Sequence, residues 1–466
     1  MYGPPPDPLR HAVADGPADL PLAWALCIGL GVILVVHGLR RGLVAPSMPL
    51  LVGGLSLALL APAPALGPTP WFGSLWWGEF PTIDKAGSYA FFRAGAHEGA
   101  WPWALPEGPA LRLIGAHLGH LQLIGWVAAL WPPHAAFGVV AVAQPALGWL
   151  CCALFLRGRG ASPWSALAFG LHFGLGLHVM RDVNWYTIEK AAVYWLPLWL
   201  WLVDRSARRP AAVPLAALCF LWMAWNNLYL AVVGGLVGLG EGLRILPGLL
   251  RGAPPARRQL LALGLSALAP LPLLRAQAAL LADNGPSLGG PARFLAERAA
   301  LDVLSLWPPR WNRLELWRAV DPVAAGCAVL ALPAALRRWE GKTAIITMLS
   351  MSALALGPRL ALAPGEAGPP NPAYTLLLWL VPGAWRIAKP EVFFEGALLM
   401  VLLLGALHLS RRSRAVQISV FVAILVSWVL TVRSHPVYPG HSAHQELRLD
   451  PGWQERALRP PQTEGP

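Results

Sequence analysis

Between Leu113 and Leu156 the chain carries no Asp, Glu, Lys or Arg, and the same holds for Gly42–Gly78, Pro210–Gly240 and Ala415–Val432. A helix needs roughly 20 apolar residues to cross about 30 Å of hydrocarbon, so these runs each hold one span or two. No water reaches the bilayer core, and only helices or closed barrels satisfy their backbone there. The runs lack the period-two alternation of barrel strands. The expected fold is therefore all-α, a polytopic transmembrane helical bundle. Composition agrees, with 56% hydrophobic and 13% charged residues, against about 25% charged in a soluble domain.

The basic residues give the orientation. Short clusters occur at Arg40-Arg41, Arg157/Arg159, Arg205/Arg208/Arg209, Arg244 to Arg258, Arg337/Arg338/Lys342 and Arg411/Arg412/Arg414. Short basic turns mark the cytoplasmic side. Placing all of them inside requires about twelve spans: 20–38, 44–66, 135–156, 162–179, 190–204, 210–225, 228–244, 260–281, 322–338, 343–361, 391–409 and 415–433. Parity demands that Pro210–Gly240 be split around Asn226-Asn227. Leu20–Gly38 lacks a basic n-region and precedes Arg40-Arg41, so it reads as a retained span, not a signal peptide. The division is an N-terminal tail 1–19, a bundle 20–433 and a polar tail 434–466. The net charge of +12 is thereby explained by topology, with no nucleic acid as partner. The 24 tryptophans, many near span ends, suit aromatic belts. Five cysteines (Cys27, Cys151, Cys152, Cys219, Cys327) lie inside apolar runs and read as small buried side chains.

Three outer segments, Gly67–Pro133, Asp283–Pro322 and Leu362–Pro390, are too long for turns, and long loops on a rigid scaffold tend to carry function. In the first, Glu79, Asp84, Lys85 and Arg93 follow the second span. A carboxylate there can serve as a general base or ligate a divalent cation, and nearby cations can hold a lipid-linked phosphate. The plain alternative is a set of solvated loop charges. Further along, His120–Trp131 is too short to cross and suits an interfacial helix. Arg181, Asp182, Glu189 and Lys190 stand between the fourth and fifth spans; Arg386, Lys389, Glu391 and Glu395 stand at the start of the eleventh. No Gly-rich phosphate loop, GxSxG or HExxH motif is present.

In order, these features resemble the C-type membrane glycosyltransferases (GT-C), in particular a bacterial branch with a long run of spans. The likeness rests on Asp84 followed by "AFFRAGAHEGAWPW" and "PEGPALRL", on "LCCALFLRGRG", on "SALAFGLHFGLGLHVMRDVNWYTIEKAAVYWLPLWLWLVDR" and on "LVPGAWRIAKPEVFFEGALL". These are loose patterns running from about Gly67 to Leu409. Ile83-Asp84-Lys85 departs from the plainer acidic pair of most members. The resemblance implies Asp84 as catalytic carboxylate, with Glu79 as its substitute. It implies Asp182 as a second acidic position holding a cation (Mg or Mn, shared with Asp84) or the acceptor. Lys85, Arg93, Arg181, Glu189 and Lys190 would line the substrate, and Arg386 and Lys389 would meet the donor's phosphate. The implied activity is sugar transfer from a polyprenyl-phosphate donor to an envelope acceptor, on the outer face of a bacterial inner membrane. Two rival readings are a transporter or flippase using Arg275, Asn226 and Asn227 as midplane polar groups, and a non-catalytic membrane scaffold.

Overall fold

The computed structural model describes residues 32–37, 40, 48–60, 133–176, 178–179, 192–272, 320–360, 368–380 and 390–434. Twelve α-helices are described, and the chain contacts divide them between two units. The first takes in 1–146, 182–191 and 429–466, and the second 147–181 and 192–428. In the first unit, α1 (Met48–Leu60) buries Met48, Leu51 and Val52, and α2 (Pro133–Gly158) begins there.

The second unit is entirely helical among the described residues, save for an isolated bridge between Arg359 and Pro370. It comprises the end of α2, then α3 (Pro163–Leu175), α4 (Trp195–Ser206), α5 (Ala212–Asn226), α6 (Leu228–Leu250) and α7 (Pro254–Leu268). After these come α8 (Pro322–Ala335), α9 (Trp339–Ala355), α10 (Pro372–Leu380), a 3-10 turn (Pro390–Phe393), α11 (Phe394–Leu409) and most of α12 (Arg414–Ser434).

Local chemistry sets the helix starts. Ser162 caps α3 ahead of Pro163, and Asp321 caps α8 ahead of Pro322, pairing a side-chain acceptor with a residue that lacks the orphan N–H. Gly160, at φ +94°, turns the chain after α2 in a conformation that side chains disfavour. Asn227 breaks the long apolar run where parity demands: it is extended, and its side chain accepts from Leu230 N–H at 3.1 Å. A Cβ on Gly234 would meet Met223 and Phe220, so α5 and α6 fold back as a hairpin.

α11 is the centre. Almost every residue from Phe394 to Ala406 is buried, and the helix packs on α3, α8 and α9. Helices approach closely through small residues: a Cβ on Gly148 of α2 would lie 2.9 Å from the Gly174 Cα of α3, the packing that serves where lipid replaces water. Two tryptophans serve inside the packing. Trp149 and Trp199 are buried and donate to Leu167 O at 2.9 Å and Ser266 Oγ at 3.0 Å, joining α2 to α3 and α4 to α7. Cys151, Cys152 and Cys219 are buried and free, as expected, whereas Cys327 is half-buried.

Leu228–Leu250 and Pro390–Leu409 are long and apolar enough to cross a membrane. The most apolar stretch of the first is 39% buried and that of the second 78%. Leu215, Leu218, Leu239, Leu268, Leu330 and Leu349 are each more than half exposed on the helices they belong to. One difference from the sequence reading is α10, a nine-residue helix in the segment expected to be a loop. Asn371 starts it, donating to Ala353 O at 2.6 Å and Gly357 O at 2.7 Å while Oδ1 accepts from Ala373 N–H at 3.1 Å. Nine residues cannot cross a bilayer, and Trp379 at its end is 86% exposed.

Candidate functional site

The two ends of the second unit differ in kind. At one, the basic turns converge. Arg159 after α2 meets Asp204 of α4 and lies 2.7 Å from Glu241 of α6. Arg244 bridges the same carboxylates, at 2.9 Å to Asp204 and 2.7 Å to Glu241. Gln259 of α7 donates to Asp204 at 3.4 Å. Burial on its own would lower the pKa of Arg159, but Asp204 and Glu241 outweigh it and hold the guanidinium above its ordinary value. Two cations against two anions make a neutral knot, which ties α2, α4 and α6 together. The turns bearing Arg338 and Arg411 border the same cleft as Arg159.

The other end holds buried groups able to handle protons. α3 stops at Gly176, where a Cβ would lie 2.7 Å from both Cε1 and Nδ1 of His178. The His178 ring is thus seated on glycine backbone, edge-on to Phe173 and Phe394 at centroid distances of 6.1 and 6.2 Å. Its Nε2 lies 3.2 Å from Oε2 of Glu395, with the two side chains 1% and 4% exposed. The 3-10 turn 390–393 feeds Glu395 into the first turn of α11, where a carboxylate is favoured by the helix dipole.

A second imidazole, His172, accepts from Asp321 N–H through Nε2 at 3.2 Å, which leaves its other nitrogen to carry the proton in the neutral ring. Asp321 Oδ1 caps α8 by accepting from Val323 N–H at 2.8 Å, and Oδ2 accepts from the Ser427 hydroxyl at 2.7 Å. Trp428 donates to Leu175 O at 2.6 Å, so α3, α8 and α12 are locked where the imidazoles sit. An imidazole beside a carboxylate can take up and deliver a proton. An ionisable side chain between apolar helices is costly and is by default a functional-site candidate.

The candidates chosen from the sequence lie outside the described residues. Asp84, Glu79, Lys85 and Arg93 fall in 61–132, Arg181, Asp182, Glu189 and Lys190 in 180–191, and Arg386 and Lys389 in 381–389. The Asp84–Asp182 cation pair falls outside with them, as does Arg275. Among the described residues no three His, Cys, Asp or Glu side chains are grouped as metal ligands. Two of the segments nevertheless join the chain beside the buried pair: 180–191 follows His178-Val179, and 381–389 precedes Pro390, five residues before Glu395.

His178 was not singled out from the sequence, and Glu395 was noted without a role. The signal was available. Each interrupts an otherwise apolar helical run, in "FGLGLHVM" and "EVFFEGALL". Asp204 and Glu241 were missed likewise, being carboxylates at the ends of spans whose arginines served only as topology markers. Asn226 and Asn227 lie at the turn of the α5–α6 hairpin, away from the Arg244 end of α6, and not midway along a span. No family model matches this chain, nor does any curated protein or solved structure.

Proposed function

We propose that the chain is a multi-pass membrane protein of about twelve spans that catalyses glycosyl transfer at the face opposite its arginine turns. The membrane part is supported by the convergence of the arginine turns on one end, the distribution that short cytoplasmic loops carry. It is supported too by the large apolar side chains, chiefly leucines, exposed along many of the helices.

The single observation carrying the catalytic part is the His178–Glu395 pair, buried at 3.2 Å, with Asp182 close after His178 in the sequence and Arg386 and Lys389 close before Glu395. In this reading Asp84 draws the proton from the acceptor hydroxyl, and Asp182 helps to orient it, with or without a divalent cation. Arg386 and Lys389 meet the phosphate of a polyprenyl-phosphate sugar, whose prenyl chain lies in the bilayer. As the acceptor oxygen attacks the anomeric carbon, its bond to the donor's phosphate oxygen breaks and the prenyl phosphate leaves. In this reading the His178–Glu395 pair, buried within the second unit, contributes to the transfer step. The location that follows is a bacterial inner membrane, with the site outside.

Reconstituted full-length protein supplied with labelled polyprenyl-phosphate hexose should transfer label to a hydroxyl acceptor. Asp84→Asn should lower the rate by about 10²–10⁴-fold, the range of general base catalysis. Full transfer by Asp84→Asn would remove the assignment, and no transfer from any polyprenyl-phosphate sugar would remove the activity. The transport reading has less support, because the Asn226–Asn227 break sits at a hairpin turn and leaves no unwound segment along a span there.

A further inference from the structure

At the arginine end, α8 and α11 leave a cleft of about 400 Å³ lined by Leu330, Pro333, Arg337, His408, Arg411 and Arg412. A second, narrower cleft shares Ala334, His408 and Arg411 with it and adds Arg338 and Glu340. Arg337, Arg338, Arg411 and Arg412 therefore line two adjoining clefts, with Arg159 of the knot also lining the second. Among the described residues none of the four has a carboxylate within 4 Å, in contrast to Arg159 and Arg244 of the neighbouring knot. Glu340 borders the inner part without closing an ion pair there. His408 Nε2 accepts from Arg412 Nη2 at 3.2 Å, which fixes one guanidinium toward the cleft and uses a neutral imidazole to do it.

All four are exposed, and their guanidinium forks match phosphate oxygens. The wall of the cleft also continues into apolar surface. Leu330, part of the lining, is 63% exposed, and Val329 beside it on α8 is 53% exposed. Cations at one end and bare aliphatic surface running away along the helix match a phosphate with acyl chains attached, and not a free ion.

We infer that this cleft binds the phosphate headgroup of an anionic phospholipid of the cytoplasmic leaflet, with its acyl chains along Val329 and Leu330 of α8. Basic pockets between helices on that side are where such headgroups bind. The inference rests on the membrane part of the reading above and is independent of glycosyl transfer.

The test is native mass spectrometry of the full chain in detergent, with added phosphatidylglycerol or phosphatidylcholine. The variant is Arg337→Gln/Arg411→Gln/Arg412→Gln, alongside a control, Arg208→Gln/Arg209→Gln, which removes exposed arginines elsewhere on that end. The wild type and control should retain one phosphatidylglycerol through activation and little phosphatidylcholine, and the triple variant should retain it about tenfold less. Unfolding midpoints measured without added lipid should match, showing that the triple variant is folded. Equal retention by the triple variant, or equal loss by the control, overturns the site. Displacement of the lipid by millimolar inorganic phosphate overturns the lipid as occupant in favour of the free ion. Alkaline carbonate extraction separates the two readings: a chain released from membranes undoes the membrane reading itself, whereas a retained chain without selective binding undoes this site alone.

Discussion

Arg159 and Glu241, 82 residues apart in the chain, meet at 2.7 Å with both side chains nearly buried. Neither charge is solvated well enough to stand alone, and each belongs to a different helix. Removing Arg159 leaves Asp204 and Glu241 to share Arg244, one buried negative charge in excess, at a cost of about 3–5 kcal/mol. Arg159→Met should lower the unfolding free energy by about that amount. Arg159→Met/Glu241→Met should recover part of it, because the stranded anion has gone. Detergent-solubilised protein unfolded with denaturant and followed by tryptophan fluorescence gives these numbers. A double variant that loses as much as Arg159→Met and Glu241→Met added together would show that the two side chains do not act as a pair.

Gly176 is constrained by His178, since any side chain at 176 would enter the space of the imidazole. Gly176→Ala should cost about 1–3 kcal/mol, as overpacking does. In a His178→Ala background the same change should cost much less, because the clashing ring is absent. Additive losses would mean that the His172 carbonyl, 2.4 Å from the same Cβ position, sets the cost instead.

Ser413, in the turn after α11, and Thr375, on α10, are both exposed, and they belong to opposite ends of the second unit. A cysteine at position 413 should react with a membrane-impermeant maleimide only after cells are opened. One at position 375 should react in intact cells. Cys151, Cys152 and Cys219 are buried and should add little background. Labelling of both positions from one side would contradict the alternation of spans.

Asn371 makes the start of α10 through contacts to two carbonyls and two backbone N–H groups. At about 0.5–1.5 kcal/mol for each bond, Asn371→Ala should destabilise by about 2–6 kcal/mol, and Asn371→Asp should rescue only the N–H contacts. Thermal unfolding of the two variants ranks them. Equal stability of Asn371→Ala and wild type would show that the turn is held by the backbone bridge of Arg359 with Pro370 instead.

Glu395→Gln keeps the shape of the carboxylate while removing its charge. If the buried pair contributes to the transfer step, this change should slow sugar transfer by about 10²-fold while binding of the lipid donor is little altered. Single-turnover rates and donor binding, measured on the same preparation, separate these effects. A change in binding alone would assign Glu395 to a positioning role.

Helix content and most helix positions were legible in the apolar runs. The length of a run, its capping residue and its following glycine or arginine are local properties, as Ser162-Pro163, Asn227 and Gly160 illustrate. The split of Pro210–Gly240 followed from charge parity alone and is where the chain breaks. The α10 helix was not legible, because its start depends on Asn371 reaching the carbonyls of Ala353 and Gly357 in the preceding helix. Nor was the inward use of Trp149 and Trp199, since a tryptophan at a span end and one stitching two helices share the same local surroundings.

What the sequence determined by itself is that the chain is helical and where its helices start and stop, because both follow from where charges, caps and helix-breaking residues are allowed along a single strand of residues. Only the tertiary structure decided which charges neutralise one another. Arg159 with Glu241 and His178 with Glu395 are pairings across long separations in the chain. The energy of a buried ion depends on the distance to its counter-ion, a quantity that exists only once the helices have packed.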